Sequence, residues 1–301
     1  MLMADERDMT LWMRTMVLAL AVSSLTACST RQLVTDRLAD ALAAQGQTAE
    51  TDLELARDAS PFYLKLSESV LREDPGHAAL AESVAAGFTQ YAYAFVAFEA
   101  DKVELDNLDE ADRLRKRAAM LYRRAHLHAM AALELSHPGF RAALQGAPDT
   151  EPTLDADEIG LAYWAAASWG GWISLSKDLP DVVVDLPLAT RLARLAWELD
   201  PDWGEGSLTG LVATFEAAQP GGGSEAPALF DRAIEQSGGT LVGPFVAKAE
   251  GVALPAGDRA AFEALLKQAL AIPEAEDAHA LQNEVMRRRA IWLLEQSPDL
   301  F

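Results

Sequence analysis

The stretch DRLRKRAAMLYRRAHLHAMAALEL at residues 112–135 decides the fold class. Its apolar side chains recur three or four positions apart, and they are Leu114, Ala118, Leu121, Ala125, Ala129 and Ala132. This spacing places them on one face of an α-helix. The chain around this stretch is half apolar, mostly Ala and Leu, and only 7% aromatic. Such a composition favours helix over strand.

The same helical pattern recurs along the chain and is interrupted by Pro and Gly. Ser60 is positioned to cap a helix that begins at Pro61, and Asp155 with Glu158 forms a capping box. The only strand-like run, residues 182–184, is too short to build a sheet. We therefore predict an all-α fold with these further helices: Pro61–Glu73, His77–Ala100, Ala156–Ser176, Pro187–Leu199, Trp203–Ala218, Ala228–Ser237, Pro244–Leu254, Asp258–Ile272 and Asp277–Gln296.

Helices of this length, joined by short turns that contain proline, are typical of tetratricopeptide helix pairs. The prolines at 75, 201, 273 and 298 do not follow one period. We therefore predict a degenerate tetratricopeptide-like helical repeat array. Residues 28–301 are expected to form a single domain, with 28–50 as either a linker or a first helix.

The N-terminus carries an export signal. An uncharged apolar run, TMVLALAVSSLTA, occupies residues 15–27, follows Arg14 and is too short to span a membrane. The segment LTAC at 25–28 matches the lipobox of bacterial lipoproteins, and Cys28 is the only cysteine. We predict that 1–27 is a signal peptide and that Cys28 is lipidated; the alternative is a buried core cysteine. Ser29 after the cysteine indicates the periplasmic side of the outer membrane.

Charge restricts the possible partners. The chain has 46 acidic and 25 basic residues, a net charge of −21. Nucleic-acid binding needs a basic surface, so we expect none. Adhesion to anionic lipid is disfavoured for the same reason, and membrane attachment is expected only through the lipid on Cys28.

No pattern of catalytic residues is present in the sequence. His126 and His128 are two positions apart, so on a helix they point in different directions and do not share a metal ion. The chain also has no zinc-protease, nucleophile-elbow or phosphate-loop motif. We predict no enzymatic activity, no cofactor and no metal site.

Two segments remain without an assigned role. One is a basic run in an acidic protein: Arg113, Arg115, Lys116, Arg117, Arg123 and Arg124. Pairing with nearby acidic residues explains such a run, and the alternative is a lining that attracts anions.

The other segment, residues 159–175, is apolar on both sides of its helix and rich in aromatic residues. Such a helix is either central in the core or covered by a ligand or partner. The candidate contact residues are Tyr163, Trp164, Trp169 and Trp172. The adjacent Gly170 and Gly171 allow another backbone to approach closely.

The chain resembles the TatT family, the tetratricopeptide-like T components associated with TRAP (tripartite ATP-independent periplasmic) transporters. Besides the lipobox, the resemblance rests on these stretches: SPFYLKLSESVLREDPGHAALAESVAAGFTQYAYAFV at 60–96, LYRRAHLHAMAALE at 121–134, AYWAAASWGGWISLSKD at 162–178, LFDRAIEQSGG at 229–239 and RRRAIWLLEQSPDLF at 287–301. The segment EGSLTGLVATF at 205–215 departs from the pattern, which tends to have a His and more aromatic residues there.

The resemblance implies a lipoprotein that faces the periplasm, forms a homotrimer and binds the substrate-binding (P) protein of a TRAP system. It also implies a pore or cavity through the helical assembly, which makes a small or hydrophobic ligand conceivable. The alternative function is that of a tetratricopeptide-type adaptor in outer-membrane or cell-envelope assembly.

Overall fold

A computed structural model describes residues 32, 34–44, 50–146, 151–219, 221, 223–274 and 277–301. The described residues are 79% helical and contain no strand. The all-α prediction is therefore confirmed. The tetratricopeptide-like repeat and the division into a signal peptide and one domain stay predictions, and residues 1–27 lie outside the described part of the chain.

Fourteen α-helical segments follow one another in the described residues. They are α1 (34–44), α2 (Leu53–Glu73), α3 (Ala78–Ala92), α4 (Phe98–Val103), α5 (Leu108–Ser136), α6 (Phe140–Leu144), α7 (Ile159–Ser174), α8 (Pro180–Val183), α9 (Leu186–Leu199), α10 (Ser207–Ala217), α11 (Ala226–Gln236), α12 (Gly243–Lys248), α13 (Arg259–Ala271) and α14 (Ala280–Leu300). Short 3-10 turns precede α7 (Ala156–Glu158) and α10 (Trp203–Gly206). Five-residue π-helical turns follow α3 (Tyr93–Ala97) and α12 (Ala249–Ala253).

The helix α7 is at the centre of the main core. It packs against α3, α5, α9 and α10. Leu161, Ala162, Ala165 and Ala166 are all almost fully buried, which explains why the helix is apolar on both sides. The capping box of Asp155 and Glu158 is present at its start, as predicted.

The helix α2 begins at Leu53, eight residues before the predicted start at Pro61. Asp52, not Ser60, is the N-cap, and its side chain accepts hydrogen bonds from the backbone N–H groups of Glu54 and Leu55. Pro61 lies inside the helix, and the Ser60 hydroxyl donates to the Ala56 carbonyl one turn earlier. The stronger cap at Asp52 therefore overrides the start signal of Pro61.

The C-terminal helix α14 is joined to the first half of the chain by a partly buried ion-pair network. The Arg289 guanidinium donates to Asp101 at 2.7 Å and to Glu250 at 2.6 Å. Phe98 packs edge-on against Trp292, with ring centroids 5.8 Å apart. Both acidic partners lie in or just after a π-helical turn, where the change in helical register directs their side chains.

Candidate functional site

The four aromatic residues predicted as contacts occupy two separate places on α7. Tyr163 packs against Trp164 and Trp203, with centroid distances of 4.8 Å and 5.0 Å. Trp169 and Trp172 lie nearer the other end of α7 and pack on either side of His126 in α5. Tyr163 and Trp164 therefore belong to a partly buried aromatic cluster packed against the core, whereas Trp169 and Trp172 line a cavity.

This cavity, the α5–α7 cavity, has a volume of about 180 Å³. It lies between α5, α6, α7 and the residue before α9. Trp169, Trp172, Met130 and Leu144 form its apolar wall. Its polar lining includes Arg123, Arg141, Gln145 and Asp185. The sequence shows no motif that joins these residues, because they come from four separate segments of the chain.

His126 is a neutral residue in the wall of the α5–α7 cavity. It is 3% exposed, and its Nδ1 lies 3.1 Å from the carbonyl oxygen of Ala165. Burial lowers the pKa of His126 to about 4, and the charges of Arg141 and Arg123 act in the same direction. Nδ1–H therefore donates to Ala165 at neutral pH. His128 points elsewhere and contacts Glu68, which confirms that the two histidines do not face one site.

Trp169 carries a buried donor without an acceptor. The residue is 6% exposed, and its Nε1 has no hydrogen-bond partner among the described residues. Buried N–H groups in proteins are almost always paired, so this one is an exception that needs a reason. Its ring lies 4.4 Å from the His126 ring, centroid to centroid.

The basic run on α5 divides into paired and unpaired members. Arg113, Arg115, Lys116 and Arg124 each lie within 4 Å of a carboxylate, as the pairing interpretation predicts. Arg117 and Arg123 have no carboxylate partner in the described chain. They lie over the rings of Tyr91 and Trp172, at 5.8 Å and 5.6 Å respectively.

The glycine pair brings two aromatic rings close to α7. A Cβ at Gly170 would lie 2.8 Å from the Phe215 ring, and a Cβ at Gly171 would lie 2.7 Å from the Tyr122 ring. The close approach expected at these glycines is therefore present, and side-chain rings rather than a neighbouring backbone make it.

A cluster with metal-ligand chemistry occurs at the start of α7. Oxygen or nitrogen atoms of His137, Asp155 and Glu158 lie within 4.8 Å of one another. The carboxylates already have partners, because each accepts a backbone N–H in the capping box and Glu158 also contacts His137 at 2.5 Å. This cluster is explained by helix capping.

Two features concern the membrane. Cys28, the predicted lipidation site, lies outside the described residues. Among the helices that the structure describes, none combines the length and the apolar character that crossing a bilayer requires.

Comparison with known proteins shows the family of the chain. The sequence profile of a family described as the TRAP transporter T-component (TAtT) matches residues 49–301. A protein of Treponema pallidum (strain Nichols), described as uncharacterized, is 28% identical over 267 residues, which cover 84% of this chain and 82% of the relative. The family match spans well over half of the sequence, and this chain therefore belongs to the family of TRAP transporter T-components.

Proposed function

We propose that this chain is a lipid-anchored accessory component of a TRAP-type solute uptake system that binds the periplasmic substrate-binding protein. The observation that supports this role is the family match over residues 49–301. Membership in a transporter accessory family also fits a location in the cell envelope. The absence of a catalytic pattern in the sequence agrees with a binding role rather than with an enzyme.

The proposed anchor is lipid on Cys28, at the periplasmic side of the outer membrane. Replacement of Cys28 by Ala is expected to abolish incorporation of a radioactive fatty acid and to leave an unlipidated precursor or a soluble protein. A Cys28→Ala chain that still takes up the label would refute the anchor. A Ser29→Ala chain is the matched control and should label normally.

We further propose that the protein forms a homotrimer through the exposed apolar face of α2. On this helix Leu55, Phe62 and Leu66 are 55%, 76% and 38% exposed. They are spaced seven and four residues apart and therefore share one face. Exposed apolar faces of this kind are typical of surfaces that bury against another protein chain.

The α2 face can be tested by introducing a charge. Phe62→Glu is expected to shift the protein from trimer to monomer in light scattering, because a carboxylate buried at an apolar interface is costly. Leu108→Glu is the control, since Leu108 is 69% exposed but lies on α5. A Phe62→Glu protein that remains trimeric would show that self-association uses another surface.

The role is tested by affinity capture of the tagged full chain from detergent-solubilised envelopes of its host, followed by mass spectrometry. We expect enrichment of the TRAP substrate-binding protein. This signal should be lost in a host from which the gene of the substrate-binding protein is deleted. Recovery of outer-membrane assembly proteins without any TRAP component would contradict the proposal and favour the adaptor function.

A further inference from the structure

We propose that the α5–α7 cavity binds a small organic monoanion, whose carboxylate pairs with Arg123 and Arg141 and whose apolar body lies against Trp169 and Trp172. The inference goes beyond the proposed function and does not depend on binding of the substrate-binding protein. The site is assigned from the cavity itself.

The charge of the cavity lining indicates an anionic ligand. Arg123 and Arg141 both line the cavity, and neither guanidinium group forms an ion pair with a carboxylate in the part of the chain that the structure describes, although the Glu134 carboxylate accepts the backbone N–H of Arg141 at 3.0 Å. In a chain with 46 acidic and 25 basic residues, most arginines on the same helix do find such a partner. Two unpaired guanidinium groups at one cavity are therefore available for an anion from solution. A guanidinium presents its donors in a planar fork that matches the two oxygens of a carboxylate.

The size and the apolar wall of the α5–α7 cavity indicate a ligand with a small apolar body. The cavity volume of about 180 Å³ is comparable to that of engineered cavities, about 150 Å³, that bind benzene. Trp169, Trp172, Met130 and Leu144 supply flat and aliphatic surface for an apolar body of that size. Arg123 lies over the Trp172 ring, so the positive charge and the apolar surface are adjacent.

The net charge of the lining residues indicates a ligand with a single negative charge. Asp185 also lines the cavity and makes no ion pair with either arginine. Its carboxylate leaves the cavity with a net charge of one positive unit, which one anionic group neutralises. A second anionic group on the ligand would face Asp185 at short range and be repelled. His126, the other titratable wall residue, is neutral at pH 7 and adds no charge.

The inference is tested by isothermal titration calorimetry of the lipidated protein in detergent at pH 7, with benzoate and its neutral isostere benzamide as probes. Benzoate is expected to bind at least about tenfold more tightly than benzamide, because only the anion adds ion pairing to the hydrogen bonds from the guanidinium groups. Arg123→Gln and Arg141→Gln should each weaken benzoate binding by about tenfold. Asp185→Asn should tighten it, and loss of the Asp185 side chain removes no helix-cap hydrogen bond.

Arg117→Gln is the matched control. Arg117 lies on the same helix as Arg123 and also covers an aromatic ring, but it is outside the cavity, so benzoate affinity should be unchanged. Equal affinities for benzoate and benzamide, no detectable benzoate binding at millimolar concentration, or full binding by the Arg123→Gln/Arg141→Gln double variant would each overturn the assignment. These titrations contain no partner protein, so failure here is distinguishable from failure to capture the substrate-binding protein.

Discussion

Trp169 and Trp172 line the same cavity, yet replacing each by Ala should have a different effect. Trp169 is 6% exposed and belongs to the main core, whereas Trp172 is only partly buried and covers Arg123 at the cavity rim. Removal of a buried Trp side chain costs about 3–5 kcal/mol of unfolding free energy. Removal of a partly buried one should cost about 1–2 kcal/mol.

These costs are measurable by thermal melting monitored by circular dichroism. For a domain of this size, each kcal/mol lowers Tm by about 2–4 °C, so Trp169→Ala should lower Tm by roughly 6–20 °C. Trp172→Ala should lower Tm by a few degrees and weaken benzoate binding in the fraction that is folded. A cost of about 3–5 kcal/mol is smaller than the stability of most domains, which is about 5–15 kcal/mol, so Trp169→Ala should remain folded at low temperature.

The variant Trp169→Phe distinguishes the stability contributed by ring packing from the penalty of the unpaired Nε1–H. It keeps an aromatic ring in the core and removes the Nε1–H that has no partner among the described residues. The penalty of about 1–3 kcal/mol for a buried unsatisfied donor is thereby relieved, so Trp169→Phe should cost much less than Trp169→Ala. A Trp169→Ala protein with an unchanged Tm, or a Phe variant as unstable as the Ala variant, would refute this reasoning.

Three further perturbations test other parts of the structure. Gly171→Ala should lower the free energy of unfolding by about 1–3 kcal/mol in chemical denaturation, because the new Cβ would lie 2.7 Å from the Tyr122 ring. Gly76→Ala is the control and should not lower it, because no atom lies within 4 Å of a Cβ there. Equal effects of the two substitutions would contradict the packing. The pKa of His126 is about 4 in the folded state and 6.5 in the unfolded chain. The free energy of unfolding should therefore fall by about 3 kcal/mol as pH drops from 6.5 to 4. Thermal melts across that range should show no such loss for His126→Gln. Burial raises the pKa of Glu82, so Glu82→Gln should raise Tm at pH 7, and this advantage should disappear as pH falls through the raised pKa towards 4.5. A Gln variant no more stable than the parent protein at pH 7 would argue against a destabilising carboxylate.

Helices could be predicted from sequence where local signals and burial agree. In α5, the three- and four-residue spacing of apolar side chains matches the face that is buried in the structure. At α7, the capping box fixes the start in the sequence and in the fold. Both signals act over one or two helical turns, so one sequence is enough to read them.

Helix α2 shows where local signals compete. Ser60 and Pro61 form a valid start signal, but Asp52 caps the helix earlier, and burial of Leu53 and Ala56 holds the first turns against the core. The sequence does not reveal which of two caps is used, because the decision depends on tertiary packing. The π-helical turns after α3 and α12 likewise have no signature that the sequence analysis could use.

The α5–α7 cavity was only partly accessible to sequence reasoning. Trp169 and Trp172 stood out because aromatic residues were concentrated on a helix that is apolar on both sides. Arg123 belongs to a basic run that is visible in the sequence. Arg141 and Asp185 gave no signal, since their place in the cavity depends on how α6 and α9 pack on α5 and α7.

The central claim is that this T-component binds a TRAP substrate-binding protein, and direct titration of the two purified proteins from one host tests it. We predict a saturable complex with a Kd of about 1 μM or tighter, equivalent to about −8 kcal/mol, by calorimetry and by co-migration in sedimentation velocity. The full chain in detergent is the binding partner, and a periplasmic binding protein from an unrelated transporter is the control. No heat and no co-migration at about 100 μM of each protein, or equal binding of the unrelated control, would contradict the claim.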